Sequence, residues 1–371
     1  MNRWADWDES HVRVRPNKKG TRPRTKESPD YADAELGRVV TVDRGRYTVR
    51  LEDPDGGERI ISAVRARAMR RTPVVPGDIV GLVGDTTGDE GSLARLIRIQ
   101  ERTTLLRRSA EDTDDAERVI VANADQLLIV VAAADPAPRT GFIDRALVAA
   151  YDAGITPILL VTKADLVEDP TDPAGLISHY AELDLQTVVS QQAAGTASGT
   201  PTLDDAAVVA LRVSLTERVT AMIGHSGVGK STMVNALTGA DRATSGVNAV
   251  TGRGRHTSSS AVALNLEPTN SLDVATARSS WIIDTPGVRT FGLAHVAPDD
   301  VLGAFSDLVE GSAACEPGCA HISPEGGCAL DAWVADGHAG DHGAARLASL
   351  RGLIRSMAGT EDGPEEKRLG A

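Results

Sequence analysis

The alternation of apolar and polar positions changes character along the chain. From Gly37 to about Ile99 short β-type runs dominate: Gly37-Arg38-Val39-Val40-Thr41-Val42, Tyr47-Thr48-Val49-Arg50-Leu51, Ile60 to Val64, Ile79 to Val83 and Leu93 to Ile99. Pro and Gly clusters separate them, and Asp43 to Arg46 reads as a turn between the first two. Five short strands over about 65 residues predict a small Greek-key barrel of the OB type, and an SH3-like barrel fits the same pattern. After a stretch at 101–118 that reads as a linker, strands begin to alternate with helices. Gln126 to Ala132 is a predicted buried strand, and Phe142 to Ala153 a helix with Ile143, Ala146, Leu147 and Ala150 on one face. A strand at Pro157 to Val161, a helix at about 173–183, a strand at Thr187 to Val189 and a polar loop at 190–202 follow. Then come a strand at Val219 to Ile223 and a helix at Thr232 to Leu237. This order predicts an α/β domain with a mostly parallel sheet covered by helices. Helical patterns recur at about 299–310 and 343–357.

The predicted organisation is a basic tail (1–34), an OB-like β-barrel (35–100), the linker (101–118), an α/β P-loop domain (119–292), a small helical metal-binding domain (293–358) and a charged tail (359–371). Both tails are too poor in apolar residues to fold alone and are expected to be disordered. Charge sharpens the division. Residues 1–108 carry 22 Lys/Arg against 17 Asp/Glu, whereas the rest of the chain carries 17 against 35. Arg13, Arg15, Lys18, Lys19, Arg22, Arg24 and Lys26 form a run without an acidic residue, suited to a phosphate backbone or, equally, to a solubilising tail. Arg65, Arg67, Arg70 and Arg71 follow the third strand, while Tyr47 is the lone aromatic of the barrel, so backbone contact is expected over base stacking. No apolar run approaches the roughly 20 residues that cross a bilayer. A polar N-terminus completes the expectation of a cytoplasmic protein.

The most informative stretch is Gly224-His225-Ser226-Gly227-Val228-Gly229-Lys230-Ser231. It has the phosphate-loop spacing, between a buried strand and a helix that opens with Thr232. Glycines let successive N–H groups face phosphate oxygens, and the helix N-terminus adds its positive end. Lys230 is read as the partner of the β- and γ-phosphates and Ser231 as a Mg²⁺ ligand. The run Trp281-Ile282-Ile283-Asp284-Thr285-Pro286-Gly287 is an apolar strand ending in a carboxylate. Asp284 suits Mg²⁺ through a water, and the Gly287 N–H suits the γ-phosphate. Between the two, the Gly/Arg/Ser/Thr-rich segment 252–260 contains Thr257, a residue for the Mg²⁺ side of a loop ordered by γ-phosphate.

Thr162-Lys163-Ala164-Asp165 resembles the guanine-reading Asn-Lys-x-Asp of GTPases. A carboxylate at Asp165 accepts from both guanine N1–H and the 2-amino group, whereas adenine would leave it facing a lone pair. Thr162 stands where the pattern has Asn, so one donor replaces an amide's donor and acceptor. The motif precedes the phosphate loop by about 60 residues, the reverse of the usual order.

Together with Ala122-Asn123-Ala124-Asp125-Gln126, Asp144-Arg145, Gly254-Arg255-His256-Thr257 and Asp284-Thr285-Pro286-Gly287-Val288-Arg289, this order resembles the circularly permuted, ribosome small-subunit-dependent GTPases of the RsgA family. The resemblance covers about residues 35–358. It implies an OB domain, a permuted GTPase domain and a C-terminal zinc domain. It also implies GTP hydrolysis in late assembly of the 30S subunit, with 16S ribosomal RNA as partner; a monomer is the expected state. Val288 occupies the position where many GTPases carry a water-orienting Gln. The resemblance makes His256 the candidate catalytic residue in its place.

All three cysteines fall in one short stretch with His321: Cys315, Cys319, His321 and Cys328. Three thiolates and an imidazole make a closed tetrahedral Zn²⁺ site. The spacing differs slightly from the family pattern, and His338 or His342 are alternative nitrogen ligands. The competing functional classes are a P-loop ATPase or small-molecule kinase, and an RNA-binding module with a vestigial nucleotide site. The first would need an acceptor site that the sequence does not contain; the second is opposed by intact Lys230, Ser231 and Asp284.

Overall fold

The computed structural model describes residues 34–53, 57–69, 72–109, 117–183, 185–192, 204–239, 261–268, 279–285, 298–324 and 327–357, with Thr276, Leu293 and Val296. The tails expected at 1–34 and 359–371 lie outside these residues, Ala34 excepted.

Five strands form the first unit: β1 (Glu35–Asp43), β2 (Arg46–Glu52), β3 (Glu58–Arg65), β4 (Ile79–Gly84) and β5 (Ala94–Ile99). They pair in the order β1-β2-β3-β5-β4, and β4 closes back onto β1. The β3–β5 contact is parallel while the others are antiparallel, the closed arrangement of an OB barrel. The SH3-like alternative falls away. Val39, Val49, Leu51, Ile61, Val80, Leu82 and Leu96 fill its interior. Each buried side chain of this size contributes about 1.5–3 kcal/mol.

The expected linker is largely structured. β6 (Leu105–Ser109) pairs antiparallel with β7 (Glu117–Ala122), and only the acidic stretch between them is outside the described residues. Leu106 and Val121 are buried in the core of the α/β domain, which draws both strands in. Neither strand is apparent from the sequence, because each is short and the acidic run between them dominates the local composition.

A sheet in the order β10-β9-β8-β11-β13-β12 forms the second unit, from β8 (Gln126–Ala132), β9 (Thr156–Thr162), β10 (Gln186–Val189), β11 (Val219–Ile223), β12 (Val262–Asn265) and β13 (Trp281–Asp284). All neighbours are parallel except β12, which runs antiparallel to β13. Successive side chains of a strand face opposite ways, and both faces here are covered. Leu127, Ile129 and Val131 of β8 join α1 (Thr140–Asp152), whereas Leu128, Val130 and Ala132 join α3 (Asp205–Leu215) and α4 (Lys230–Thr238). Helix α3 follows the polar loop expected at 190–202, in a stretch with no predicted element, and Asp204 caps it by accepting from the Ala207 N–H at 2.9 Å. The helix expected at 173–183 shrinks to a 3-10 turn at Pro173–Gly175 and the four-residue α2 (Leu176–His179). Positive φ at Ala174 (56°) and Gly175 (68°) interrupts it.

Among the described residues, the C-terminal unit shows four helices: α5 (Pro298–Gly303), α6 (Ser306–Ser312), α7 (Leu330–Ala335) and α8 (Gly343–Met357). The single helix expected at 299–310 is broken where Phe305 leaves helical geometry and is buried. Val301, Phe305, Leu308, Leu347, Leu350 and Leu353 share one core with α1. The barrel is joined to the sheet edge by the Thr41–Val262 pairing between β1 and β12, and Arg50 lies over the Trp281 ring at 4.7 Å. Among the described residues, no helix is long and apolar enough to cross a membrane.

Candidate active site

The loop 224–229 leaves the C-terminal end of β11, the strand between β8 and β13. Gly224, Gly227 and Gly229 hold φ of 154°, 83° and 93°. At Gly224 a Cβ would stand 2.4 Å from the Val130 carbonyl oxygen, so no side chain fits. Gly229 is the left-handed cap of α4, and the loop passes straight into a helix whose first N–H groups lack helical partners. Lys230 folds its ammonium over the loop and donates to the carbonyls of Gly224 and His225, the latter at 2.6 Å. Burial pulls this ammonium below the ordinary lysine range, and the Asp284 carboxylate opposes the shift. Asp284 ends β13 in register with Met222 of β11, which explains its proximity to the lysine. The Thr285 hydroxyl donates to the Met222 carbonyl at 2.6 Å and anchors the exit of that strand. Val228 is buried; Ser226, Gly227 and Ser231 are exposed and Thr232 is half-buried. The His225 ring packs edge-on against Phe142 of α1 at 4.5 Å.

Two strands away, β9 ends at Thr162, which is buried. Its hydroxyl is 2.7 Å from the Val228 carbonyl and 3.2 Å from that of Val131. Lys163 takes a left-handed φ of 57° and opens a 3-10 turn at Ala164–Leu166. Its ammonium donates to the Asp135 carbonyl, in the loop after β8. The exposed Asp165 carboxylate accepts from the Gln192 N–H at 2.9 Å, and the Ala164 N–H donates to the Ser190 carbonyl at 3.1 Å. The loop Ser190–Gln192 therefore holds the 162–165 turn, a contact that the sequence does not reveal. The available signal was a short strand followed by Ser190-Gln191-Gln192, next after the strand that carries Thr162.

The loops after β8, β9, β10, β11 and β13 thus leave one edge of the sheet, where parallel α/β sheets bind ligands. Phosphate loop, Asp284 and the 162–165 turn are brought together despite their order in the chain. His256, Thr257, Gly287 and Val288 lie outside the described residues. A cradle of N–H groups, one ammonium and one carboxylate is the chemistry of a nucleoside polyphosphate with a divalent cation.

Upstream, the Asn123 side chain accepts from the Thr103 N–H at 2.9 Å and donates to the Gly77 carbonyl of the barrel at 3.0 Å. Asp125 accepts from the Val219 N–H at 2.8 Å and fixes the start of β8 against β11. These contacts account for the Asn-x-Asp-Gln stretch that the sequence singled out.

In the C-terminal unit, Cys315, Cys319, His321 and Cys328 offer ligand atoms all within 4.8 Å of one another. The His321 Nδ1 stands 3.7, 3.6 and 3.6 Å from the three sulfurs. Tetrahedral Zn²⁺ with bonds of about 2.3 Å to sulfur and 2.0 Å to nitrogen separates S and N by about 3.5 Å. The donor set fits that ion. His338 instead stacks on Trp333 at 4.3 Å, and His342 lies 5.6 Å from the ring of His179, so neither replaces His321. Gly318 and Gly327 turn with φ of 83° and 73°, which lets the altered spacing close. Burial pushes the Cys328 thiol up, and the Cys315 and Cys319 sulfurs add to it. A bound cation reverses such a shift.

The fold and site define an α/β P-loop protein in which the 162–165 turn precedes the phosphate loop along the chain. The sequence matches the RsgA GTPase family over residues 99–294. It is 34% identical over 339 residues to the small ribosomal subunit biogenesis GTPase RsgA of Pseudomonas aeruginosa, covering 90% of this chain and 89% of that one. The protein of the same name from Alcanivorax borkumensis is 30% identical, with 98% and 97% covered. Among solved structures, YjeQ from Thermotoga maritima superposes with a TM-score of 0.60 at 21% identity, over 88% of this chain and 99% of that one. YloQ, described as a circularly permuted GTPase, gives 0.57 at 21% identity, over 89% and 96%. The chain belongs to the RsgA GTPase family.

Proposed function

We propose that this GTPase serves assembly of the small ribosomal subunit, binding the 30S particle and its 16S ribosomal RNA with GTP bound and leaving after hydrolysis. The observation that carries the reading is the meeting of Lys230, Asp284 and the Asp165 turn on one sheet edge, in a chain similar over nine-tenths of its length to proteins bearing that name. Guanine selectivity is assigned to Asp165 and Lys163, and phosphate binding to residues 224–232 with the Gly287 N–H. Ser231 and Asp284, with Thr257, are the residues to hold Mg²⁺, which when bound neutralises charge on the β- and γ-phosphates. His256 is assigned the attacking water, since Val288 cannot orient it. The C-terminal cluster takes one structural Zn²⁺, with no position left open for catalysis. Exposed Arg65 and Arg67 of the barrel and the basic run at 13–26 support an RNA partner. The working state is a cytoplasmic monomer.

Turnover of GTP and of ATP, each with and without 30S subunits, tests the reading. GTP hydrolysis that is slow alone and faster with 30S, and no comparable ATP turnover, is expected. Equal use of ATP would move the protein to the ATPase or kinase class, and no turnover of either nucleotide would leave an RNA-binding module.

A further inference from the structure

We propose that Thr162, at the position where the guanine motif ordinarily has Asn, is a positioning residue of the phosphate loop and takes no part in reading the base. The inference rests on the assignment of the 162–165 turn to the guanine site and goes beyond it. Thr162 ends β9, and β8 lies between that strand and β11. Its hydroxyl nevertheless reaches the Val228 carbonyl at 2.7 Å, joining residues 66 apart in sequence. A hydroxyl owns one proton, and the Val131 carbonyl at 3.2 Å is the weaker claimant. With that proton committed to Val228, nothing remains to donate to a purine carbonyl. Thr162 is also 99% buried, which removes it from the surface where a base would lie.

The geometry defines what the contact does. Val228 and Gly229 are the two residues before Lys230, and a Cβ on Gly229 would stand 3.6 Å from the Thr162 hydroxyl oxygen. Thr162 thus lies directly against the part of the loop that aims its N–H groups and starts α4. Losing the hydroxyl frees the Val228 carbonyl and the loop above it, and weakens phosphate binding for any nucleotide. Base selectivity stays with Asp165, which the Gln192 N–H orients independently at 2.9 Å.

Two substitutions separate hydroxyl from shape. Thr162→Val keeps the branched shape and loses the donor; Thr162→Ser keeps the donor and loses the methyl. Binding of GDP, GTP and ITP to the full-length chain is the measurement, since ITP lacks the 2-amino group that Asp165 accepts. Loss of a buried hydrogen bond predicts that Thr162→Val weakens all three by about tenfold and in equal proportion. Thr162→Ser should stay within about twofold of the unsubstituted protein, as expected when the donor is retained. Unchanged affinity in Thr162→Val, or a loss in Thr162→Ser that Thr162→Val does not share, would overturn the tether. A change in the GTP-to-ITP ratio in Thr162→Val would return Thr162 to the base. Should Thr162→Val not fold, Thr162→Ala, which differs from Thr162→Ser only by the missing hydroxyl, gives the same comparison. Failure of the underlying guanine assignment shows separately, as absence of GTP-over-ATP preference in the unsubstituted protein.

Discussion

The buried Asp144 carboxylate of α1 accepts from the half-buried Ser349 hydroxyl of α8 across the junction of the GTPase sheet and the C-terminal helices. The Tyr180 hydroxyl donates to the other Asp144 oxygen at 2.8 Å. Two residues before Asp144, Phe142 touches His225 of the phosphate loop, so α1 meets both the nucleotide site and the metal-binding unit.

Burial raises the Asp144 carboxyl from 3.8 to about 6, against the pull of Ser349, Tyr180 and the nearby Arg346 charge. The folded protein therefore keeps a proton that the unfolded chain releases. The associated stabilisation is complete below the unfolded value and is lost as pH rises through about 6. His179 acts oppositely: burial, with His342 and Arg346 adding, lowers it to about 4, and stability is lost as pH falls from 6.5 towards that value. Subtracting the Asp144→Asn variant isolates the carboxyl. Urea unfolding should show the unsubstituted protein gaining about 2 kcal/mol on the variant between pH 7 and pH 4.5. A pH-independent difference would mean that Asp144 titrates normally.

Arg346 of α8 is fully buried and pairs with Asp307 at 2.7 Å, while donating to the carbonyls of His179 and Ala339. Removing one member of such a pair strands a buried charge. Arg346→Ala should cost about 3–5 kcal/mol by urea unfolding, while Arg346→Met with Asp307→Leu should cost much less. Equal losses in the two proteins would contradict the stranded-charge account.

Lys230 is already bent over the phosphate loop and needs only to exchange two carbonyls for phosphate oxygens. Lys230→Ala should reduce GTP turnover on the order of a hundredfold or more while the protein melts normally. Turnover at the ordinary rate in a folded variant removes the site.

Elemental analysis should find about one Zn²⁺ per chain. Cys319→Ser, or chelation, should release it and loosen α7 and the loops around it, because binding and local folding are linked. The barrel and the sheet face that packs on α3 and α4 lie on separate cores and should keep their protection in hydrogen exchange. A chelated protein with unchanged exchange near Cys328 would show the metal to be dispensable.

His256→Ala should remove most 30S-stimulated turnover and leave GTP affinity nearly unchanged, because the imidazole is assigned to water and not to the bound phosphates. Full stimulation in the variant would transfer the catalytic role to another group.

What the sequence determined by itself was local. Hydrophobic period and glycine spacing set the five barrel strands, β8, β9, β11 and the phosphate loop, since each needs only its own residues to bury one face or turn. The Cys315–Cys328 ligand set was equally legible, because its donors lie close along the chain. Tertiary structure decided the rest. β6 and β7 are strands because Leu106 and Val121 find a core built by other segments, and α2 is short because Ala174 and Gly175 turn left-handed. That His338 and His342 stand apart from the thiols, why Asp144 is buried and what Thr162 touches were all undecidable from spacing. A hydroxyl is one donor in any sequence, and its meaning here comes from the Val228 carbonyl that the parallel sheet carries to within 2.7 Å of it.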